Sequence, residues 1–219
     1  MLTFLELKKN DAINTYITAA DSSLKALGFT EHSYAHVTKV AEDCEYILNT
    51  LNKDKHDIEL AKIAAYLHDI GNVINRIEHS QSGAIMAFRL LDNLNMPAQD
   101  IAKIITAIGN HDEGTGVPVD DISAALILAD KSDVRRSRVR NTDKSTFDIH
   151  DRVNYSVVNS QLSINNDSKE ITLTLQIDTE YASIMEFFEI FIERMLLCQK
   201  AAAKLGLKFK LTINNQSLL

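Results

Sequence analysis

Proline, glycine, cysteine and tryptophan are scarce: the 219 residues include 2 Pro, 7 Gly, 2 Cys and no Trp. So few chain breakers predict a mostly helical protein. Cys44 and Cys198 lie far apart and fit no metal or redox spacing, which excludes a thiolate metal site and reads both as reduced core residues of a cytosolic protein. Basic charge is also in deficit, with 23 Lys and Arg against 30 Asp and Glu, a net −7. That sign excludes a general affinity for nucleic acid, whose phosphates need a basic surface. No apolar run approaches the ~20 residues of a membrane span. Charges at Glu6, Lys8 and Lys9 break the first apolar run too early for a signal peptide. The expectation is a cytoplasmic protein with no membrane partner. What is present is ordinary: 45% hydrophobic and 24% charged residues, in a chain long enough to bury a substantial core.

Helical spacing dominates the first two thirds. Ile13, Tyr16, Ile17, Leu24 and Leu27 mark one helix, which Gly28 stops. With Thr30 as its cap, a second carries Val37, Val40, Ala41, Cys44, Ile47, Leu48 and Leu51 on one face, and His36 at the edge of that face. Residues 54 to 70 form a third, ending at His68-Asp69-Ile70-Gly71-Asn72. His79 opens a fourth that runs to about Asn95 and contains Gly83, a residue that costs about 1 kcal/mol inside a helix and so marks a close contact. Pro97 starts a fifth through Ile101, Ile104, Ile105 and Ile108, with His111 on the same spacing. Asp121 caps a sixth, almost wholly apolar run that ends at Asp130. Residues 155 to 164, 171 to 177 and 207 to 213 alternate instead, as half-buried strands do, around a helical stretch from 181 to 205. The expected organisation is a helical bundle over 1–150 and, packed on it over 151–219, a small α+β module of three strands and one helix.

His36, His68, Asp69, His79, His111 and Asp130 thus fall on five helices or helix ends. A single histidine on an apolar face is more often a hydrogen-bonded core residue than a ligand. An ordinary core has no need of four histidines and two aspartates, and imidazoles with carboxylates are the ligand set of iron, manganese, zinc or nickel.

The order His36, then His68-Asp69 followed by Ile70-Gly71, then Asp130 at the end of an apolar helix, resembles the HD-domain metal-dependent phosphohydrolases over about residues 30 to 140. The pair His79 and His111 further resembles the two-metal branch, which includes bacterial diadenosine tetraphosphate hydrolases and cyclic-dinucleotide phosphodiesterases. The glycine-rich signature of the latter is lacking after His111. The resemblance implies a first metal held by His36, His68, Asp69 and Asp130 and a second held by His79 and His111, with Asp69 bridging and His68 and Asp69 central to catalysis. The implied cofactors are two divalent ions per chain, iron or manganese first, with zinc, nickel, cobalt or magnesium as alternatives. Two such cations acidify a bridging water and neutralise phosphate oxygens. The implied substrate is a small phosphoester or phosphoanhydride, most simply a nucleotide, and a second copy of the chain is a candidate partner.

Lys131, Arg135 and Arg136 follow Asp130 as candidate phosphate contacts, since arginine's planar fork suits phosphate; Arg138 and Arg140 read better as a solvated helix end. Where many two-metal relatives carry a phosphate-touching lysine, this chain has Asn72. Asp112, Glu113 and Asp133 read as surface residues, His32 as exposed, His56 as part of a hydrophilic connection, and His150-Asp151-Arg152 as an unassigned polar cluster. The same ligands also suit a mixed-valence di-iron oxygenase, which oxygen uptake by an iron-loaded sample distinguishes. A catalytically silent signalling module is the third reading, and the complete ligand set speaks against it.

Overall fold

The computed structural model describes residues 2–219. After a short helix α1 (Phe4–Leu7), six helices make the bundle: α2 (Asp11–Ala26), α3 (Tyr34–Thr50), α4 (Lys55–Leu67), α5 (His79–Asn93), α6 (Ala98–Gly109) and α7 (Asp121–Ser132). Helix α7 is its axis. Every residue from Ile122 to Ser132 is buried, because α3, α4, α6 and, from the C-terminal part, α9 (Ile184–Lys204) pack around it. A helix apolar on all sides finds no other stable position.

A short helix α8 (Ile149–Ser156) leads into a sheet of β1 (Val157–Asn165), β2 (Glu170–Ile177), β3 (Lys208–Ile213) and β4 (Gln216–Ser217), in the order β1-β2-β3-β4. The first and last pairings are antiparallel; β2 and β3, joined through α9, run parallel. The alternation read from the sequence is real: Ile171, Leu173, Leu175 and Ile177 with Phe209, Leu211 and Ile213 are buried, with α9 packed on β3. The core is continuous from Phe4 to Ile213, spanning helices and sheet.

Besides α8, whose end takes residues 155 and 156 from the expected first strand and adds a helix to the module, four details differ from expectation. A fourth strand exists, too short at two residues to show alternation. Ser33, not Thr30, caps α3, its hydroxyl accepting from Ala35 N; Asp120, not Asp121, caps α7 in a reciprocal pair with Ser123. Helix α4 stops at Leu67, and Ile70–Val73 form a separate 3-10 turn. That break matters, because it swings His68 and Asp69 out of the helical ladder. Gly71 and Gly83 then let the turn and α5 touch backbone to backbone: a Cβ on Gly71 would collide with the His79 carbonyl and lie 2.5 Å from Gly83 N. A Cβ on Gly83 would lie 3.2 Å from the His68 carbonyl.

Candidate metal centre

All six expected ligands sit at one end of the bundle, at helix ends: His36 in the first turn of α3, His68 just past α4, Asp69 next to it, His79 opening α5, His111 just past α6 and Asp130 in the last turn of α7. All six are buried. The reason is local. The last carbonyls of a helix lack a donor from the chain, and a histidine placed there supplies one. His68 Nδ1 donates to the Ala65 carbonyl at 2.7 Å and His111 Nδ1 to the Ile108 carbonyl at 2.6 Å, each three residues back. His79 Nδ1 does the same to the Arg76 carbonyl at 3.0 Å, and His36 Nδ1 binds the Asp133 carboxylate at 2.8 Å. A carbonyl only accepts, so each Nδ1 facing one carries a proton and each Nε2 is left to take a metal ion or a second proton.

Those nitrogens converge. His36 Nε2 lies 3.5 Å from Asp69 Oδ2 and 3.3 Å from Asp130 Oδ1; His68 Nε2 lies 3.1 Å from Asp69 Oδ2 and 3.7 Å from Asp130 Oδ1. Asp69 turns its other oxygen to His79, with 3.5 Å from Oδ1 to Nε2. His79 Nε2 and His111 Nε2 face each other at 3.1 Å. His36 Nε2, His68 Nε2 and Asp69 Oδ2 are buried without a hydrogen-bond partner. Leaving such atoms unpaired costs ~1–3 kcal/mol each, and two facing lone pairs repel. A cation among them removes all of these costs, so the residues fit a metal. Two triads bring ligand atoms within 4.8 Å of one another: His36, His68 and Asp130, and His68, Asp69 and His111. His68 belongs to both.

The charges respond accordingly. Burial alone would push the His68 imidazole down, but the Asp69 and Asp130 carboxylates outweigh it and hold it up at about 10. Asp69 resists its own desolvation because His68, His32 and His79 surround it, and Asp130 does so through Lys131, His36 and His68; both stay well below the usual carboxylate range. Burial drives His111 and His79 below the ordinary imidazole value, so both present neutral nitrogens.

A cavity of about 650 Å³ opens onto Asp69, His79, His111 and Asp130. Lys131 lines it, but its ammonium is clamped between Asp130 Oδ2 at 2.7 Å and Glu113 Oε2 at 3.3 Å. Arg135 and Arg136 do not line it. Arg135 Nε binds Asp133 Oδ1 at 2.8 Å, steadying the carboxylate that orients His36. Arg136 donates to the Tyr155 carbonyl at 2.6 Å and to Asp178 at 3.1 Å, and its guanidinium covers the Tyr155 ring at 4.4 Å. Both guanidiniums are turned to carboxylates away from the cavity lining, so the structure does not bring them to the site as the phosphate contacts expected. Arg138, read as solvated, is buried against the cavity, donating to the Glu31 and Asp133 carbonyls. Asp133 and Glu113 are likewise not surface groups: Asp133 is 1% exposed, and Glu113 pairs with Lys131 and Arg194. His32 is half-buried in the cavity wall, its ring 5.5 Å from that of His36. Sequence reasoning passed over Arg76, three residues before His79, whose guanidinium lines the cavity. Asn72 donates to the Asp69 carboxylate at 2.9 Å and so fixes a ligand.

The HD domain profile matches residues 33–149, over half of the chain. The chain belongs to the HD domain family. This HD domain holds all six clustered residues, while α9 and the sheet lie beyond the matched segment. An uncharacterised protein of Methanocaldococcus jannaschii is 25% identical over 214 residues, covering 87% of this chain and 81% of that protein. The crystal structure of a predicted HD superfamily hydrolase from an uncultured Thermotogales bacterium aligns at a TM-score of 0.46 and 24% identity, over 61% of this chain and 75% of that one. Among the described residues, no helix is long and apolar enough to cross a membrane.

Proposed function

We propose that this HD domain is a metal-dependent phosphohydrolase that cleaves a phosphoester or phosphoanhydride, of a nucleotide, at a two-ion centre of iron or manganese. One observation carries the reading: four imidazoles with Nδ1 tied down aim their Nε2 atoms at two carboxylates, and two of those nitrogens meet at 3.1 Å. His36, His68 and Asp130 would hold one ion and His79 and His111 the other, with Asp69 offering one oxygen to each side. Bound there, divalent cations lower the pKa of a water and neutralise phosphate oxygens. The protein's own groups do the rest. Asp133 and the helix carbonyls fix the imidazole orientations, and Lys131 holds one oxygen of Asp130 so that the other faces the histidines. The cavity volume suits a nucleotide-sized ligand.

The test is metal content of protein purified without a histidine tag, with phosphate release from a nucleotide panel before and after chelation. Close to two ions per chain, and activity lost on chelation and restored by metal, is the expected result. No bound metal after reconstitution, or oxygen uptake without phosphate release, would overturn the proposal.

A further inference from the structure

We infer that the cavity takes a single phosphate on an organic group that carries no others, with Arg76 as the cation that meets it. The inference rests on the phosphohydrolase reading and narrows it to phosphomonoesters.

Four cations line the cavity, and three are already neutralised or held. Lys131 lies between Asp130 and Glu113, Arg194 Nε binds Glu113 at 2.8 Å, and Arg138 Nη1 lies 3.6 Å from the Asp133 carboxylate and donates to the Asp133 carbonyl while its Nε donates to the Glu31 carbonyl. Arg76 differs. Its Nη1 donates to Asn72 Oδ1 at 3.3 Å and lies 3.4 Å from His79 Nε2, and its guanidinium sits 5.8 Å from the Phe29 ring centre. Among the described residues no carboxylate pairs with it. One un-neutralised guanidinium beside the ligand cluster is a seat for one phosphate, to which the planar fork donates two bonds.

The outer cavity has the opposite sign. Asp148 and Asp151 from the start of α8, and Glu189 and Glu193 from α9, all line it. Among the described residues the Asp148 carboxylate accepts from the Asp151 backbone and the Asp151 carboxylate from the Asn141 amide, while Glu189 and Glu193 make no ion pair. The nearby Arg152 is turned to Glu186 and Arg194 to Glu113. A second or third phosphate would enter this field without a cation to meet it, whereas polyphosphate sites carry cations along the whole chain of phosphates. A neutral group suits it better: carboxylates accept from hydroxyls, and Leu27, Phe29, Ile190 and Ile192 supply apolar lining.

The experiment is calorimetric binding of AMP, ADP and ATP to the manganese-loaded protein, with phosphate release followed on the same samples. AMP is expected to bind at least ~10-fold more tightly than ATP, with ADP between. Arg76→Ala should weaken AMP at least ~10-fold, Arg76→Lys should recover only part of that, and the exposed pair E189K/E193K should narrow the AMP to ATP gap at least ~10-fold. Tighter binding of ADP or ATP than of AMP, no binding of any of the three, or an unchanged gap in E189K/E193K would overturn the inference. Binding in the expected order with no phosphate released from any of the three would leave it standing and remove the hydrolase reading instead.

Discussion

At the floor of the cavity the four clustered imidazoles are each tied through Nδ1 to an acceptor and shut away from water, whereas on its outer wall Glu189 and Glu193 stand exposed without ion pairs among the described residues and Ile192 is 45% exposed. The floor comes from helices within the segment shared with the HD family; the wall is largely α8 and α9, at and beyond its end. A floor of this kind positions chemistry, since each group has one allowed orientation. A wall of exposed side chains sets which molecules reach it, and it can be altered without disturbing the fold.

That contrast can be broken most severely at Asp69. Its two oxygens face His68 on one side and His79 on the other, so Asp69→Asn, which keeps the shape and removes the charge, should lower phosphate release by more than ~100-fold, beyond what loss of a residue that only orients a ligand costs. Steady-state rates with metal counting check this; a rate within tenfold of the parent protein would show that Asp69 is not shared between ions. Next comes Asp133, whose carboxylate meets the ligand cluster at His36 Nδ1 and is steadied by Arg135 and Arg138. Asp133→Asn should weaken metal retention ~10–100-fold in a chelator competition while helicity stays intact.

The smallest effect is in pH. The His68 imidazole is raised from its usual 6.5 to about 10, so in metal-free protein the stability it contributes is complete below pH 6.5 and is lost as pH rises through 10. A metal on Nε2 displaces that proton and removes the dependence. Urea denaturation at pH 6.5 and pH 10 should therefore show a larger drop for metal-free than for metal-loaded protein, and equal drops would contradict the assignment of His68 as a ligand.

The floor was legible in the sequence because burial of a histidine or aspartate on an apolar helix face is costly wherever it occurs, and the periodicities around His36, His111 and Asp130 showed those faces. Nδ1 partners were not legible: three of the four are backbone carbonyls, which every residue has. Asp133 hid for a related reason, lying past the end of α7, where spacing no longer assigns a face. Arg135, Arg136 and Arg138 were misplaced because a guanidinium on a long stem goes to the nearest carboxylate or carbonyl, and only the fold decides which that is. The sheet was visible in its alternation, but not the parallel pairing of β2 with β3, which depends on how α9 carries the chain across.

The contact between Gly71 and Gly83 bears on how such sequences should be recognised. Where the 3-10 turn meets α5 there is no room for even one methyl group, so the helix that carries His79 seats at this distance only on a chain without side chains at position 71. Ligands can be exchanged for others of similar reach; that spacing cannot. A sequence that keeps the histidines and aspartates but carries a bulky residue at the Gly71 position must place its fifth helix elsewhere. The paired glycine is therefore a better witness to an assembled centre than the histidine-aspartate doublet itself.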